Sequence, residues 1–492
     1  MSHPSPHSSD APNYETWTRE ELIAPQPPPS DETKPGPGPS NPRPKDKASR
    51  PRREFNFSAY PVRKIALKFS YSGAGYCGLA WQAGATPLPT VEGVLFAALA
   101  KARLVDPEGG LEACSWERCG RTDRGVSAAA QVVSLYVRCS NRPSSASSSG
   151  ASVETSEGKT STGEGDGGED DGLRVPVDHA VPGATATTTT TTEGLRYLHT
   201  LNAILPPTIR VHAWAPVKTN FSARFSCRAR HYKYFFSGRN LDVDAMRSGA
   251  ARLVGEHDFR NLCKLDPAKQ LTSFRRRILR AGISTIAADD DNDDRGGGGG
   301  RGDRDGMHVF DLVGTAFLYN QVRHIMAVLL LIGARLEAPS VISALLNADP
   351  DERNGAGGEE RGESPPRVRC KPEYQMADAL PLVLWDCVYG AEDAPWRTDD
   401  AGQGGGSVGL HSQLTGLAER ARVEATLGEY FLRAASRHHG PGPTVDRESG
   451  PLDVPLGGGR VRREGRYIGL LERKRMEPVE VVNARWRRRG KE

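Results

Sequence analysis

The sequence from 117 to 128 reads Glu-Arg-Cys-Gly-Arg-Thr-Asp-Arg-Gly-Val-Ser-Ala, and the interpretation of the whole chain starts from it. Gly120 and Gly125 bracket small, polar and charged residues, a composition typical of a tight, exposed loop. The apolar run at 132–137 that follows is typical of a strand. The pattern therefore predicts a loop at a strand edge that holds one carboxylate, Asp123.

Asp123 lies between two arginines, Arg121 and Arg124. Two neighbouring cations favour the ionised form of a carboxyl group. A positioned, ionised carboxylate can act as a nucleophile or as a base. The alternative is a solvated Arg–Asp ion pair in a surface turn, since most loop charges are merely solvated. These residues alone leave both interpretations open.

The composition indicates that folded segments alternate with segments that have no core of their own. The chain has 492 residues, of which 37% are hydrophobic, with 54 glycines and 36 prolines. Segments rich in these and in small polar residues cannot bury enough apolar surface to fold. We predict a disordered tail at 1–58 and insertions at about 140–194, 289–306 and 351–366. The remainder divides into a half at 59–217, a half at 218–392 and a helical, basic extension at 393–492.

Several classes of protein are excluded. The eight cysteines have no CxxC spacing and no secretory signal precedes them, so we expect a reduced compartment and neither disulfides nor a zinc site. No apolar run reaches the length of a membrane span. A GxGxxG pattern occupies Gly73–Gly78, but prolines rather than a helix follow it, and no acidic residue closes a second strand. We therefore expect no metal, no nucleotide cofactor and no membrane partner.

Hydrophobic periodicity predicts the regular elements. Strands are predicted at 64–71, 210–217, 309–313 and 382–389, and helices at 90–104, 196–205, 241–253, 315–332, 339–346 and 410–437. These elements form two α+β halves of comparable make-up. Such halves can form two packed sheets or one continuous antiparallel sheet with a cleft.

A second informative stretch runs from Phe221 to Phe236. Its cations are interleaved with aromatic residues, and they are Arg224, Arg228, Arg230 and Lys233. Cations that bind phosphates and rings that stack on bases form nucleic-acid surfaces. The alternative is an amphipathic strand with a basic exposed face. Residues 460–492 add twelve lysines and arginines against five glutamates, which suits phosphate contact or nuclear import.

Arg323 lies near the start of a helix that is apolar on most faces. A helix of that kind is buried, and a buried arginine needs an anionic partner. The alternative is that the long side chain reaches solvent at the helix edge.

Three separated motifs resemble those of the TruA-type tRNA pseudouridine synthases, in that family's order. They are Gly120–Ala128, Arg230–Tyr234 and Phe317–Arg323, within a match from about Val62 to Tyr389. The eukaryotic branch that modifies tRNA positions 38 and 39 is most similar, through the segments Trp17–Leu22, Phe221–Cys227, His257–Lys264 and Pro381–Leu384.

The resemblance implies an α+β pseudouridine synthase fold. Two ferredoxin-like or RRM-like halves would form a mainly antiparallel sheet with a central RNA-binding cleft. It implies isomerisation of uridine to pseudouridine in the anticodon stem-loop of tRNA, with no cofactor. It also implies a homodimer, and a location in the nucleus, the cytoplasm or both.

The resemblance also assigns roles to residues. Asp123 would attack or deprotonate the ribose of the target uridine, and Arg323 would pair with Asp123. Arg121 would fill the space of the flipped nucleotide. Tyr232 would stack on the target base and Leu318 would line its pocket. Our own inference, not carried over from the motifs, is that phosphates are held by Arg228, Arg230, Lys233 and the cluster 275–277.

Three alternatives to this function remain. The same chemistry could act on other tRNA uridines or on RNA other than tRNA. The chain could instead be a non-catalytic RNA-binding protein that keeps the fold, although the presence of Asp123 argues against this. A carboxylate glycosidase would need a second acid at suitable spacing, and none lies near the motifs.

Overall fold

The computed structural model describes residues 55–140, 195–286, 306–348, 365–398, 407–440 and 452–489. The predicted tail and the three predicted insertions lie almost wholly outside these ranges. The chain divides at Asn56 into two units, and the description below concerns the second, Asn56–Glu492.

The described residues of this unit contain one large sheet. Its strands are β1 (Val62–Tyr71), β2 (Glu117–Arg118), β3 (Ser127–Arg138), β4 (Ile209–Pro216), β5 (Ala229–Ser237), β6 (Gly255–Asp258), β7 (Arg275–Thr285), β8 (Met307–Gly314) and β9 (Leu382–Val388). Their order is β4-β1-β3-β9-β5-β8-β7-β6, and β2 pairs with β3. The prediction of a mainly antiparallel α+β sheet is confirmed. Of the two alternatives, one continuous sheet is correct and two packed sheets is wrong.

The two halves of the sheet meet at a short junction. All other neighbours are antiparallel, but β3 and β9 run parallel and pair only through Ser127 with Val383 and Ala128 with Leu384. β3 begins directly after the loop that carries Asp123. The β3–β9 junction therefore places this loop against the C-terminal half.

Helices cover the sheet and precede or follow its strands. They are α1 (Val91–Lys101), α2 (Gly110–Ala113), α3 (Tyr197–Ile204), α4 (Val243–Ala251), α5 (Gln321–Gly333) and α6 (Val341–Leu346). Thr90 caps α1 as predicted, because its hydroxyl accepts a hydrogen bond from the Gly93 amide at 3.2 Å. Asp242 caps α4 in the same way, at 3.0 Å from the Ala245 amide.

The start of α5 corrects a prediction. The helix begins at Gln321 rather than at Thr315, and Asn320 before it has a φ of +56°. A left-handed residue cannot continue a right-handed helix, so the segment 315–320 is a loop. α5 itself is buried on nearly every face, including Ile325, Leu329 and Ile332 at no exposure. Each such side chain contributes roughly 1.5–3 kcal/mol by leaving water.

The C-terminal extension is folded where it is described. The helix predicted at 410–437 is confirmed as α7 (Ser407–Ser436), whose described side chains are almost all exposed. A hairpin of β10 (Leu452–Gly457) and β11 (Arg460–Glu464) and the helix α8 (Val479–Arg489) follow. The hairpin was not predicted. None of the described helices has both the length and the apolar character of a membrane span.

Candidate active site

The aspartate loop, Cys119–Val126, joins β2 to β3 and contains a tight turn. The amide of Val126 donates to the carbonyl of Asp123 at 3.1 Å, and Gly125 within the turn has a φ of +83°. Turns with a positive φ at their third position favour glycine there. The hydrogen bond and the glycine conformation together fix the backbone on both sides of Arg124, and so fix the position of Asp123 at the start of the turn.

The Gly73–Gly78 segment supports the aspartate loop from below. A Cβ on Gly73 would lie 2.2 Å from the carbonyl oxygen of Val126, so only glycine permits this approach. Gly78 has a φ of +89°, and the amide of Leu79 next to it donates to the carbonyl of Thr122 at 3.2 Å. The GxGxxG segment thus has a structural role: its glycines let it pack closely against the aspartate loop.

Side chains anchor the loop further. The hydroxyls of Tyr71 and Thr122 are 2.6 Å apart, and the Gln131 amide donates to the Gly120 carbonyl at 2.9 Å. These partners belong to β1 and β3, which are central strands of the N-terminal half. The loop is therefore held in place before any substrate binds.

The C-terminal half supplies the partners of the Asp123 carboxylate. The Asn320 side-chain amide donates to its Oδ2. Arg323 Nη1 lies 4.0 Å from the same oxygen, and Arg323 Nε donates to the Ala377 carbonyl at 2.8 Å. Asp123 is 30% exposed and Arg323 13% exposed. The sequence-predicted pair therefore comes together, with Arg323 held mainly by a backbone carbonyl.

The electrostatic environment of Asp123 differs from the prediction. Burial raises the pKa of Asp123 above its ordinary value. The charges of Arg323 and Lys264, the Asn320 hydrogen bond and the charge of Lys269 offset part of this effect. Arg121 and Arg124 were expected to favour the ionised form, and that expectation is wrong for the net effect. Both arginines are exposed, where water screens their charge.

Two lysines form a cationic side of the site that the sequence did not reveal. Lys264 and Lys269 lie with their ammonium groups 5.4 Å and 4.6 Å from the ring centroid of Tyr319. The Lys264 amide also donates to the Tyr319 carbonyl at 2.9 Å. Tyr319 directly precedes Asn320, so the two lysines belong to the same cluster as Asp123. The two lysines are recognised as part of the site by their cation–π contacts with Tyr319, and the sequence does not show such contacts.

An aromatic pair lies beside the loop 315–320 that precedes α5. Tyr232 on β5 packs edge-on against Phe317, with ring centroids 4.9 Å apart. Tyr232 is only 9% exposed, and burial raises the pKa of its hydroxyl. Leu318 is also buried, and its amide donates to the Gln321 side chain at 2.8 Å. The structure places both predicted pocket residues in the interior.

Two of the three cations predicted to hold phosphates, Arg228 and Lys233, have acidic partners within the protein. Arg228 lies 3.3 Å from Asp393 and 3.6 Å from Glu392, and Lys233 lies 2.7 Å from Asp311. Cross-strand register explains the lysine, because Lys233 and Asp311 are directly paired on β5 and β8. Their charges are matched within the protein.

Arg230 is a clamp between the two halves. Its guanidinium donates to the carbonyls of Cys119, Arg224 and Thr315 at 3.0, 2.9 and 2.9 Å. Cys119 begins the aspartate loop, and Thr315 begins the loop that carries Asn320. The same cation therefore fixes the separation of the two loops, a positioning role that the basic pattern of the sequence did not indicate.

Two of the three arginines in the predicted cluster at 275–277 also have partners within the protein. Arg275 lies 3.3 Å from Glu256, and Arg276 donates to the Arg275 carbonyl at 2.6 Å. Arg277 is exposed. Arg121, in contrast to most of these cations, is exposed and has no ion pair with any other described residue. Arg124, on the other side of Asp123, is exposed in the same way.

The arrangement amounts to one half-buried carboxylate with an amide and three cations near it. Within the described ranges, no three histidine, cysteine, aspartate or glutamate side chains form a group that could hold a metal. A carboxylate in such a setting can attack carbon or take up a proton.

Comparisons with known proteins all point to the same family. Residues 250–390 match the family described as tRNA pseudouridine synthase. The chain is 34% identical over 443 residues to the tRNA pseudouridine(38/39) synthase of Saccharomyces cerevisiae, covering 89% of this chain and 81% of that protein. It is 39% identical over 352 residues to the protein of that name from Bos taurus, covering 71% of this chain and 60% of that one.

The protein of the same name from Homo sapiens is 37% identical over 356 residues. That match covers 72% of this chain and 61% of the human protein. The chain thus spans less than two thirds of the length of these two mammalian relatives and more than two thirds of the yeast one.

Proposed function

The chain belongs to the tRNA pseudouridine synthase family, and on that basis we propose that it isomerises uridine to pseudouridine at positions 38 and 39 of tRNA. The names of the yeast, cattle and human relatives support the substrate and the positions. The observation that carries the proposal is the Asp123 carboxylate, which is seated in a glycine-lined loop and contacted by Asn320 and Arg323.

The reaction needs no external reactant. The bond between N1 of uracil and C1′ of the ribose breaks, the base turns, and a bond forms between C5 and C1′. The hydrogen on C5 leaves as a proton, and N1 takes up a proton. Atoms and electrons balance within the nucleotide, so the protein has to supply positioning, charge stabilisation and proton transfer.

Asp123 is the group we assign to the chemistry, either as the nucleophile at the ribose or as the base that deprotonates it. Its raised pKa keeps it a better proton acceptor than a solvated aspartate. The charges of Arg323, Lys264 and Lys269 lower this pKa and so favour the ionised form. The neighbouring charges thus offset part of the cost of burying the carboxylate.

The target nucleotide must leave its stack before Asp123 can reach the ribose. Arg121 is exposed beside Asp123, so we assign to it the space that the flipped nucleotide vacates. We assign base stacking to Tyr232 and contact with the base edge to Leu318. Because Phe317 covers part of the Tyr232 ring, stacking requires that Phe317 give way.

Two further properties are proposed from the family resemblance and from composition. We propose that the chain acts as a homodimer, which sedimentation of the purified protein tests directly. We propose a nuclear or cytoplasmic location, on the basis of the basic segment 460–492. Imaging of a tagged chain tests this.

The test of the function is pseudouridine mapping on an unmodified tRNA transcript with uridine at 38 and 39. The wild-type protein should form pseudouridine at these positions, and Asp123→Ala should form none while still binding the transcript, because the phosphate contacts lie elsewhere. Asp123→Asn, which keeps the size of the side chain, is the control for loop structure. Product from either variant would refute the role of Asp123.

Absence of product from a wild-type protein that binds the tRNA would favour a different RNA target or a binding role.

A further inference from the structure

α8 is fixed to the body of the protein by its first half. Val479 packs against the hydrophobic core. The Asn483 side chain donates to the Leu271 carbonyl at 3.3 Å, and the Asn483 carbonyl lies 3.4 Å from the Gln270 amide nitrogen that donates to it. Both partners lie in the segment 264–271.

That segment is a wall of the candidate active site. It carries Lys264 and Lys269, whose ammonium groups lie over the ring of Tyr319. Asn320, the next residue, donates to Asp123. An unbroken series of contacts therefore leads from the carboxylate to α8.

The second half of α8 is exposed and strongly basic. Arg485 is neutralised by Glu477, with bonds of 2.8 and 2.6 Å. Arg487, Arg488 and Arg489 are exposed and have no ion pair with any residue that the structure describes. Trp486, beside them, is 44% exposed. At 1.5 Å per residue, Arg489 lies about 9 Å along the helix from Asn483.

Three unmatched guanidinium groups beside an exposed indole match the chemistry of an RNA strand. Guanidinium groups bind phosphates, and an aromatic face accepts a base. The helix dipole alone would favour cations at this end, but it gives no reason for an exposed tryptophan among them. Three of the four cations in the basic-aromatic sequence stretch, Arg228, Arg230 and Lys233, are already engaged within the protein.

We propose that α8 is an RNA-binding arm of the active site. Arg487, Arg488 and Arg489 bind phosphates of the substrate RNA outside the flipped nucleotide, and Trp486 provides a stacking surface. This inference rests on the proposed function only in taking RNA as the substrate. It transfers phosphate binding from the centre of the sheet, where the sequence suggested it, to the C-terminal extension.

The experiment compares two triple variants of the full chain. One is Arg487→Ala/Arg488→Ala/Arg489→Ala. The matched control is Arg420→Ala/Arg433→Ala/Arg437→Ala, which removes the same charge from the exposed helix α7 and the residue directly after it. The Kd for an unmodified tRNA transcript is measured between 50 and 300 mM salt. Loss of about three phosphate contacts should weaken binding roughly tenfold or more and reduce the slope of log K against log salt by about 2.

The control variant should keep the wild-type Kd and slope. The variant Arg487→Lys/Arg488→Lys/Arg489→Lys should retain the slope, which shows that the charge at these positions is what matters. At saturating RNA, the α8 alanine variant should lose less in rate than in affinity. Equal Kd and slope for the two alanine variants would overturn the proposal, and a defect confined to import in cells would assign the arginines to a transport receptor.

The outcomes for this proposal and for the proposed function are separable. Wild-type protein that binds RNA through α8 but forms no pseudouridine keeps the inference and refutes the function. If the protein forms pseudouridine but its RNA binding does not depend on residues 487–489, the function is kept and the inference is refuted.

Discussion

The N-terminal and C-terminal halves of the sheet have similar elements but contribute opposite charges to the site. The N-terminal half holds the aspartate loop through its own residues, among them Gly73, Tyr71 and Gln131. The C-terminal half supplies the amide of Asn320 and the cation of Arg323. Neither half alone contains a complete site. The chemistry therefore belongs to the β3–β9 junction, where the carboxylate held by one half meets the cation of the other.

The sharpest way to break this complementarity is Arg323→Leu. We expect activity to fall by a factor of roughly 100 or more, because Asp123 loses its nearest cation in a partly desolvated site. Stability should fall by about 1–2 kcal/mol, less than for a fully buried pair, since Asp123 is 30% exposed. Single-turnover pseudouridine formation and thermal unfolding measure the two effects.

Arg323→Lys is the control for Arg323→Leu. It keeps a charge but loses the Nε bond to Ala377, so we expect intermediate activity. Full activity with an unchanged Tm in Arg323→Leu would show that the cation of the C-terminal half is not needed.

Arg230→Ala tests whether the separation of the halves matters independently of their charges. Three carbonyls lose their donor, so we expect a loss of about 1–3 kcal/mol in stability. Activity should fall about tenfold through displacement of the loops. The control is Arg247→Ala, which removes an arginine bonded to the carbonyl of Ile283. A rate in Arg230→Ala equal to that of the control would contradict the clamp.

The smallest expected effect concerns Lys264 and Lys269. The rate should fall as pH drops through the pKa of Asp123, because only the ionised carboxylate can act, and this limb should lie above the ordinary aspartate range. Lys264→Ala/Lys269→Ala removes two charges that lower this pKa, so the limb should move to higher pH. On the limb the rate should be roughly several-fold lower than in wild type.

The control for this prediction is Lys101→Ala on α1, which should leave the pH profile in place. A limb that does not move in the double variant, or moves to lower pH, would show that the lysines do not act on Asp123.

Local sequence patterns predicted most helices and strands well. They did not predict contacts between segments that are distant in the sequence. Alternation and capping located β1 and the start of α1, because these depend on neighbouring residues. The loop at 315–320 was predicted as helix, since nothing in its composition shows that Asn320 adopts a left-handed conformation. The pairing of Lys233 with Asp311 depends on the register of strands 78 residues apart. A count of cations in the sequence therefore does not show which of them have acidic partners in the fold.

The position of β9 has a consequence for synthesis of the chain. β9 lies between β3 and β5 in the sheet although it follows both in sequence by more than 140 residues. A nascent chain can assemble β1, β3 and β4 early, since domains fold from the N-terminus as they emerge. The sheet can become continuous only after residues 382–388 have left the ribosome. Until then β3 and β5 lack the strand that lies between them, so the junction beside Asp123 is among the last parts of the sheet to form.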